Sequence, residues 1–340
     1  MRRKASIIPI LSCFILLLLL ITKTDTATRG ALEGIELCYK VLIPSLFPFF
    51  LIITYTSSLL NGLEFSGRKL LRNVMKLPAG AESILFLGLL GGYPVGAQLI
   101  AENYHNGQIN RETSHILLGY CCNAGPAFIF GITRLLFSNP FTPFILWFIH
   151  ILSAIITACI LPKPPQTECH KVSVRKMTLA ETMHTSLQIC ACVCGWVIVF
   201  KIIQAYLSTW VNAVSNSITK FLLFGILELS NGCIFLLDLN NEVMRFILIS
   251  GFLGFGGLCV LLQVISVTDQ LGLGSYIPGK LIQSGFSVML ATFIVLPHLE
   301  ASTLFTILII AILLILIPVY VNKKHVVFQM KIMYNPITNN

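Results

Sequence analysis

Charged side chains are scarce in this 340-residue sequence, in which Asp, Glu, Lys and Arg together make up 11% of the residues. A soluble domain carries roughly 25% charged residues. Apolar residues make up 56% of the chain, and the mean hydropathy is +0.84. Several runs also reach the roughly 20 apolar residues that cross a bilayer. A soluble globule is therefore disfavoured, and the sequence predicts an all-α integral membrane protein whose first partner is the lipid bilayer.

Enzyme signatures are also missing. The chain has no GxxxxGK[ST], HExxH or GxSxG pattern. It has no pair of acidic residues in two apolar runs, which an aspartyl intramembrane protease would need. We therefore expect no catalytic residue and no enzymatic activity.

The cysteines of the chain do not form a pattern typical of disulfide bonds or of a metal site. Most of the 11 cysteines lie in apolar runs. Cys190, Cys192 and Cys194 are spaced i, i+2, i+4, which fits neither three ligands on one helical face nor a zinc site. We predict no disulfide framework, no metal and no cofactor. The net charge of +9 is more typical of cytoplasmic Lys/Arg loops than of nucleic-acid binding. It also suits a small anionic solute.

Basic loops set the predicted topology. Arg2, Arg3 and Lys4 precede the apolar run Ile7–Ile21, which favours an uncleaved cytoplasmic anchor over a signal peptide. The chain then divides into five predicted regions, namely an anchor and interfacial helix (1–40, with the interfacial helix over 28–40), a first repeat (41–162), a basic cytoplasmic loop (163–184), a second repeat (185–297), and a C-terminal helix with a cytoplasmic tail (298–340).

Two re-entrant hairpins follow from the same loop charges. The basic loop stays cytoplasmic only if residues 83–108 dip into the membrane and return, with Gly91–Gly96 at the tip. Residues 218–240, broken at Glu228–Gly232, are predicted to enter from the other side. We therefore expect about eight transmembrane helices plus two hairpins, with both termini in the cytoplasm. The sequence leaves open whether the chain forms a homo-oligomer.

Two of the long apolar segments are interrupted by small and helix-breaking residues. The interruptions lie at Cys122–Pro126 and Gly254–Gly257. Glycine lacks a constraining Cβ and proline lacks a backbone N–H, so both break helices. At membrane depth, broken backbone survives only inside protein or beside an aqueous cavity. A hairpin and a broken helix in each of two oppositely oriented halves predict an inverted-repeat transporter architecture with a polar cavity at mid-bilayer.

Four motifs resemble one family. They are GGYPVGAQ (91–98), NAGPAFIFG (123–131), GILELSNG (225–232) and GGLCVLLQV (256–264). In this order, within a resemblance running from about Ala31 to Leu296, they resemble the gate or nucleoside-recognition domain group of membrane proteins. The most similar type is the sporulation integral membrane protein of the YlbJ/SpoVV kind. Members often carry a basic residue where this chain has the neutral Gln98.

The resemblance implies a function that no spacing could show. YlbJ/SpoVV-type proteins are thought to carry dipicolinate, pyridine-2,6-dicarboxylate, across the outer forespore membrane during sporulation. The broader group resembles concentrative nucleoside transporters. A nucleoside or other small-solute carrier of the same fold is therefore an alternative, and a non-transporting sporulation membrane scaffold is another.

Ten residues near the interruptions are predicted to bind the solute. The glycines would let backbone N–H groups approach a carboxylate, the amides and serine would donate or accept hydrogen bonds, and Tyr93 or Phe255 would stack on an aromatic ring. The alternative is that the small residues only allow close helix packing. The predicted set is Gly92, Tyr93, Gly96, Gln98, Asn123, Gly125, Ser230, Asn231, Gly257 and Gln263.

Two charged residues inside apolar runs are predicted to serve coupling. A charge at the centre of a membrane helix costs roughly 2.5–3.5 kcal/mol on insertion scales, so Glu228 is expected to face a cavity. It would carry a proton or help to coordinate a sodium ion; the alternative is a hydrogen bond that pins the hairpin. Lys201 would pair with Glu228, attract the solute, or extend to the interface. His150 would relay protons or have a packing role.

Overall fold

The computed structural model describes residues 7–59, 75, 77–78, 81–164, 176–211, 217–268 and 271–296. These residues form helices and connecting segments and contain no strand. The helices, in chain order, are α1 (Ile7–Thr22), α2 (Thr24–Leu37), α3 (Ile43–Leu59), α4 (Ala81–Gly91), α5 (Val95–His105), α6 (Arg111–Cys121), α7 (Pro126–Leu136), α8 (Thr142–Ile160), α9 (Leu179–Val211), α10 (Ser217–Leu227), α11 (Leu229–Phe235), α12 (Glu242–Phe255), α13 (Gly257–Thr268) and α14 (Tyr276–Val295).

Six helical stretches within the described residues are long and apolar enough to cross a membrane. They coincide with six of the eight predicted spans, which confirms a multi-pass, all-α membrane protein. The six stretches are Thr24–Thr56, Arg111–Leu136, Thr142–Ile160, Leu179–Ser208, Glu242–Thr268 and Tyr276–Val295. The remaining two predicted spans are Ile7–Ile21, which lies in the 16-residue helix α1, and the C-terminal helix predicted over residues 301–321, which lies outside the described part of the chain.

The segment predicted as an interfacial helix forms a helix that packs along α9. α2 continues through a π-helical turn, Cys38–Leu42, directly into α3. A Cβ atom added at Gly30 or Gly34 would lie 2.9 Å from the backbone Cα of Ile202 or Ile198. Glycines four residues apart let two helix backbones approach closely, as in small-xxx-small packing. The amphipathic pattern of residues 28–40 therefore reflects a face of small residues turned toward α9.

Both predicted hairpins are present as pairs of packed helices. α4 and α5 are joined by residues 92–94, and α10 and α11 are joined at Glu228. In the first hairpin, a Cβ at Gly88 or Gly96 would lie 2.0 Å from the carbonyl oxygen of Cys121. In the second hairpin, a Cβ at Gly232 would lie 2.4 Å from the Cα of Gly225. Within the first hairpin, a Cβ at Gly88 would also lie 3.4 Å from the Cα of Gly96. The two helices of each hairpin therefore contact each other at glycines.

Both predicted broken helices are also present. Residues 122–125 separate α6 from α7, and Gly256, in the left-handed region at φ +85°, separates α12 from α13. Each broken helix begins at an asparagine cap. Asn110 Oδ1 accepts from Thr113 N at 2.8 Å, and Asn241 Oδ1 accepts from Met244 N at 3.0 Å. Such side chains satisfy backbone N–H groups that the first turn leaves unpaired.

α14 packs against α6, α8 and α12 and so brings its polar residues beside the first broken helix. The close contact is made at Gly279, where a Cβ would lie 2.0 Å from the carbonyl oxygen of Gly119. The buried apolar residues form two clusters, and the partly buried side chains of Tyr93 and Phe128 pack against both. The interruptions of the chain therefore lie at the junction of the two clusters.

Candidate functional site

A cavity lies where the interruptions of the chain meet. It contains about 570 Å³ of space that atoms do not fill, a volume that includes the open mouth of the cavity. Its polar wall comes from all four interrupted elements, namely Gly92 and Tyr93 after α4, Gly125 before α7, Glu228 and Ser230 in the second hairpin, and Gln263 of α13. The apolar wall comes mainly from α3, α7 and α9, with Leu46, Phe49, Phe50, Phe128, Val193 and Val197 among its residues.

Glu228 lies in the cavity wall and holds the second hairpin together. The residue is 4% exposed, and its Oε1 accepts a hydrogen bond from Ser230 N at 3.0 Å. Its own N–H donates to Phe224 O at 2.8 Å, and its carbonyl accepts from Gly232 N at 3.1 Å. The carboxylate thus makes the hairpin-pinning contact that was one of its predicted roles, and it lies beside the cavity.

Gly92 and Gly125 bring the first two interruptions into direct contact. Gly92 has φ +76°, and a Cβ there would lie 2.8 Å from Gly125 N. Any side chain would therefore both strain the backbone and separate the two breaks. The hydroxyl of Tyr93 donates to the carbonyl of Leu253 at 3.1 Å. That bond ties the first hairpin to α12, across the cavity junction.

Five of the ten predicted solute-binding residues line the cavity, and four are placed otherwise. Gly96 faces the Cys121 carbonyl, and Gly257 lies 3.0 Å, measured from an added Cβ, from the carbonyl oxygen of Gly225, so both serve close packing. Gln98 is half-buried on α5 and is not part of the cavity wall. Asn123 is buried in a separate polar cluster. The side chain of the tenth, Asn231, lies outside what the structure describes. The five residues at the cavity are Gly92, Tyr93, Gly125, Ser230 and Gln263.

The predicted pairing of Lys201 with Glu228 is wrong. Lys201 Nζ lies 3.6 Å from Glu33 Oε2, and the lysine side chain is 14% exposed. Because α2 packs along α9 through Gly30 and Gly34, the acidic residue of α2 reaches this lysine. The packing of α2 along α9 therefore explains why Lys201 pairs with Glu33 and not with Glu228.

A second buried polar group, which sequence reasoning missed, is centred on Lys280. Its Nζ donates to the carbonyl oxygen of Cys122 and, at 2.7 Å, to Gln283 Oε1. Gln283 Nε2 in turn donates to Asn123 Oδ1 at 2.9 Å. The N–H of Ala124 donates to His150 Nε2 at 3.0 Å. This cluster holds the non-helical residues 122–124 in place, so Asn123 and His150 have packing roles in this state.

A sequence signal for this cluster does exist. Lys280, Gln283 and Ser287 are spaced i, i+3, i+7, which places three polar side chains on one face of a membrane helix. Polar residues inside a membrane helix usually face the protein interior. Lys280 was not among the charged residues that were predicted to have a function.

Comparison with known proteins finds similarity to a bacterial membrane protein. The chain is 24% identical over 299 residues to a protein of Bacillus subtilis (strain 168) described as "Sporulation integral membrane protein YlbJ". The similarity covers 74% of this chain and 72% of that protein. No family model matches the sequence, and no solved structure matches it.

Proposed function

We propose that this chain, a relative of the YlbJ-type sporulation membrane proteins, carries a small aromatic dicarboxylate, with dipicolinate as the expected solute, across the outer forespore membrane. The observation that carries the proposal is the single cavity lined by residues from both hairpins and both broken helices. Interrupted helices that meet at one cavity are the usual plan of a carrier's binding site. We assign the cavity no catalytic role.

The arrangement of elements supports two inverted repeats. The order hairpin, broken helix and long helix occurs once as α4 to α8 and once as α10 to α14. Each copy has close-packed glycines in its hairpin and an asparagine cap on its broken helix. We propose that the hairpins are re-entrant and that α1 and residues 301–321 complete eight spans. With that count, both termini are cytoplasmic.

The cavity residues suit a flat anion. α7 begins just after Gly125, and the unpaired N–H groups of a helix start attract carboxylates. Tyr93 provides an aromatic face, and Ser230 and Gln263 provide hydrogen-bonding groups. The apolar wall of α3 and α9 would contact the pyridine ring. Binding of the ring and recognition of the carboxylates are thereby assigned to different sides of the cavity.

Glu228 is proposed to couple transport to a cation. A carboxylate in the cavity wall repels a dianionic solute. Binding of a proton or a sodium ion at Glu228 would remove that repulsion, so ion and solute would favour each other's binding. Lys201, which pairs with Glu33, no longer takes part in this coupling.

The test is uptake by the full-length chain in sealed proteoliposomes. We expect uptake of labelled dipicolinate above that of protein-free vesicles, and loss of the dependence on an imposed proton or sodium gradient in Glu228→Gln. Nucleoside uptake without dipicolinate uptake would identify the nucleoside carrier instead. Uptake of neither solute, in a correctly folded protein, would favour the scaffold alternative.

A further inference from the structure

Lys280 is the most deeply buried charged side chain near the cavity, with 1% of its surface exposed. It lies on α14 in the membrane-spanning part of the fold. A lysine ammonium has three N–H donors and no acceptor. Two neutral oxygens, the Cys122 carbonyl and Gln283 Oε1, are its hydrogen-bond acceptors.

The positive charge of Lys280 is not balanced by a carboxylate among the described residues. The ion pairs between described side chains are Lys40 with Glu36 and Lys201 with Glu33. Taking an ammonium out of water costs several kcal/mol, and carbonyl and amide oxygens repay only part of that cost. A methionine or glutamine would fill the site without this cost. The charge itself therefore needs a reason.

The surroundings of Lys280 connect it directly to the cavity. Its Nζ lies 5.4 Å from the ring centroid of Tyr93, and Tyr93 also lines the cavity. The carbonyl that it binds belongs to Cys122, at the start of the same interruption that reaches the cavity three residues later at Gly125. One aromatic ring and one short stretch of irregular backbone thus link the cation to the solute space.

A buried hydroxyl group without a hydrogen-bond partner among the described residues lies beside this cation. The hydroxyl of Tyr276 is buried and has no hydrogen-bond partner in the described part of the chain. The Tyr276 ring centroid is 6.0 Å from Lys280 Nζ. An unpaired buried hydroxyl costs about 1–3 kcal/mol. An anion that reached Lys280 would supply an acceptor near this hydroxyl as well as the missing negative charge.

We propose that Lys280 is the cation that binds a carboxylate of the carried solute, and that the ring of Tyr93 covers it in the state seen here. This inference rests on the proposed function and adds to it the residue that selects an anion. Movement of the Tyr93 ring, which is held by the hydroxyl bond to Leu253, would open the ammonium to the cavity. Selection of a carboxylate would then occur opposite Glu228 rather than at it.

The experiment measures binding separately from flux, on the full-length chain in detergent. Three pyridine probes are titrated by calorimetry. They are the dianion dipicolinate, the monoanion picolinate, and pyridine-2,6-dicarboxamide, which is uncharged and has nearly the shape of dipicolinate. The variants are Lys280→Gln and Lys280→Arg, with Lys40→Gln as the control for loss of a lysine at an exposed site. Flux of dipicolinate is measured in parallel in proteoliposomes.

We expect Lys280→Gln to weaken dipicolinate binding at least about tenfold and to leave dicarboxamide binding within about threefold of the original chain. Lys280→Arg should bind dipicolinate more tightly than Lys280→Gln, and Lys40→Gln should match the original chain. Equal weakening of all three probes in Lys280→Gln would show a packing role and overturn the inference. Unchanged dipicolinate binding in that variant would overturn it too.

Two further outcomes keep the inference and the proposed function apart. If Lys280→Gln does not fold, the original chain itself decides, because a site built on a cation must prefer dipicolinate to the dicarboxamide by at least about tenfold; no preference overturns the inference. Dipicolinate binding that depends on Lys280 but is accompanied by no flux would support the inference and refute transport. Absence of binding in the original chain would refute both.

Discussion

Tyr93 contacts every part of the site. Its side chain lines the cavity, its ring lies against the ammonium of Lys280, and its hydroxyl reaches Leu253 on α12. Few residues in the described chain touch both repeats and the cavity at once. In the proposed mechanism, movement of the Tyr93 ring would connect Lys280 to the cavity.

Tyr93→Phe should lower the stability of the protein modestly. The change removes the hydroxyl that donates to the Leu253 carbonyl at 3.1 Å, and a buried hydrogen bond contributes about 0.5–1.5 kcal/mol. Thermal unfolding in detergent measures the effect, and Tyr39→Phe, at a tyrosine that is 73% exposed, is the matched control. An equal change in both variants would show that the Leu253 bond contributes nothing.

Glu33→Gln should leave transport unchanged. The residue pairs with Lys201 at 3.6 Å, but Glu33 is more than half exposed, so the pair should contribute less than about 1 kcal/mol. Dipicolinate flux is measured beside Glu228→Gln, which we expect to lose ion coupling. If Glu33→Gln lost coupling to the same extent, the Lys201 pair would belong to the coupling machinery after all.

Residue roles were predictable where the signal was local. Glu228 stands out because it is a carboxylate inside an apolar run, and it does line the cavity. The partner of Lys201 was not predictable, because it depends on how closely α2 packs against α9. Lys280 was missed for a similar reason: only the packing of α14 against α6 buries it.

At the level of the elements, close-packed glycines determine how the first hairpin sits. Gly88 on α4 and Gly96 on α5 both face the carbonyl of Cys121, where α6 ends. The backbone of the first broken helix is thereby wedged against both arms of the hairpin. The first hairpin and the end of α6 at Cys121 therefore pack together as one unit.

Gly88→Ala should destabilise the protein by roughly 1–3 kcal/mol, as overpacking of a tight interior does. An added Cβ would lie 2.0 Å from Cys121 O, so backbone must move. Gly131→Ala on α7 is the control, because nothing lies within 4 Å of a Cβ there; it should be neutral or slightly stabilising. Thermal unfolding of both variants checks this, and equal stabilities would contradict the close packing.

The helix interruptions were predictable, because glycine and proline act on the backbone where they stand. The first hairpin tip, the break at 122–125 and the break at Gly256 all fell within the predicted ranges. The second hairpin opens only at Glu228, a narrower interruption than the predicted Glu228–Gly232. The packing of α2 against α9 was not predicted, because amphipathicity cannot tell a face of small residues that contacts another helix from one that contacts water. Whether residues 28–40 lie at the membrane interface stays a prediction.

For the whole molecule, the similarity to YlbJ confirms the resemblance to the YlbJ type of sporulation membrane protein. The resemblance to the gate or nucleoside-recognition group stays a prediction. The six apolar helical stretches confirm a multi-pass membrane protein. The inverted orientation of the halves and the identity of the solute stay predictions. Both depend on the membrane, which determines which loops share a side.

Inverted repeats place two particular loops on opposite sides of the membrane. Asn106, after α5, and Asp238, after α11, are both exposed. In cells that express the chain in the plasma membrane, a membrane-impermeant maleimide should label Asp238→Cys from outside, but should label Asn106→Cys only after the membrane is opened. The unsubstituted chain gives the background from its own thiols, among which Cys159 is exposed. Labelling of both positions from one side would refute the inverted arrangement.

The close contact of Gly88 and Gly96 with the Cys121 carbonyl also limits how the proposed carrier can move. With no room for even one carbon atom between this carbonyl and Gly88 or Gly96, the first hairpin cannot slide along α6 without breaking the contact. The two must travel as one rigid body. In the proposed carrier, alternation between the two sides of the membrane would leave this contact intact and would change the contacts between the two halves, among them the hydroxyl bond from Tyr93 to Leu253 on α12.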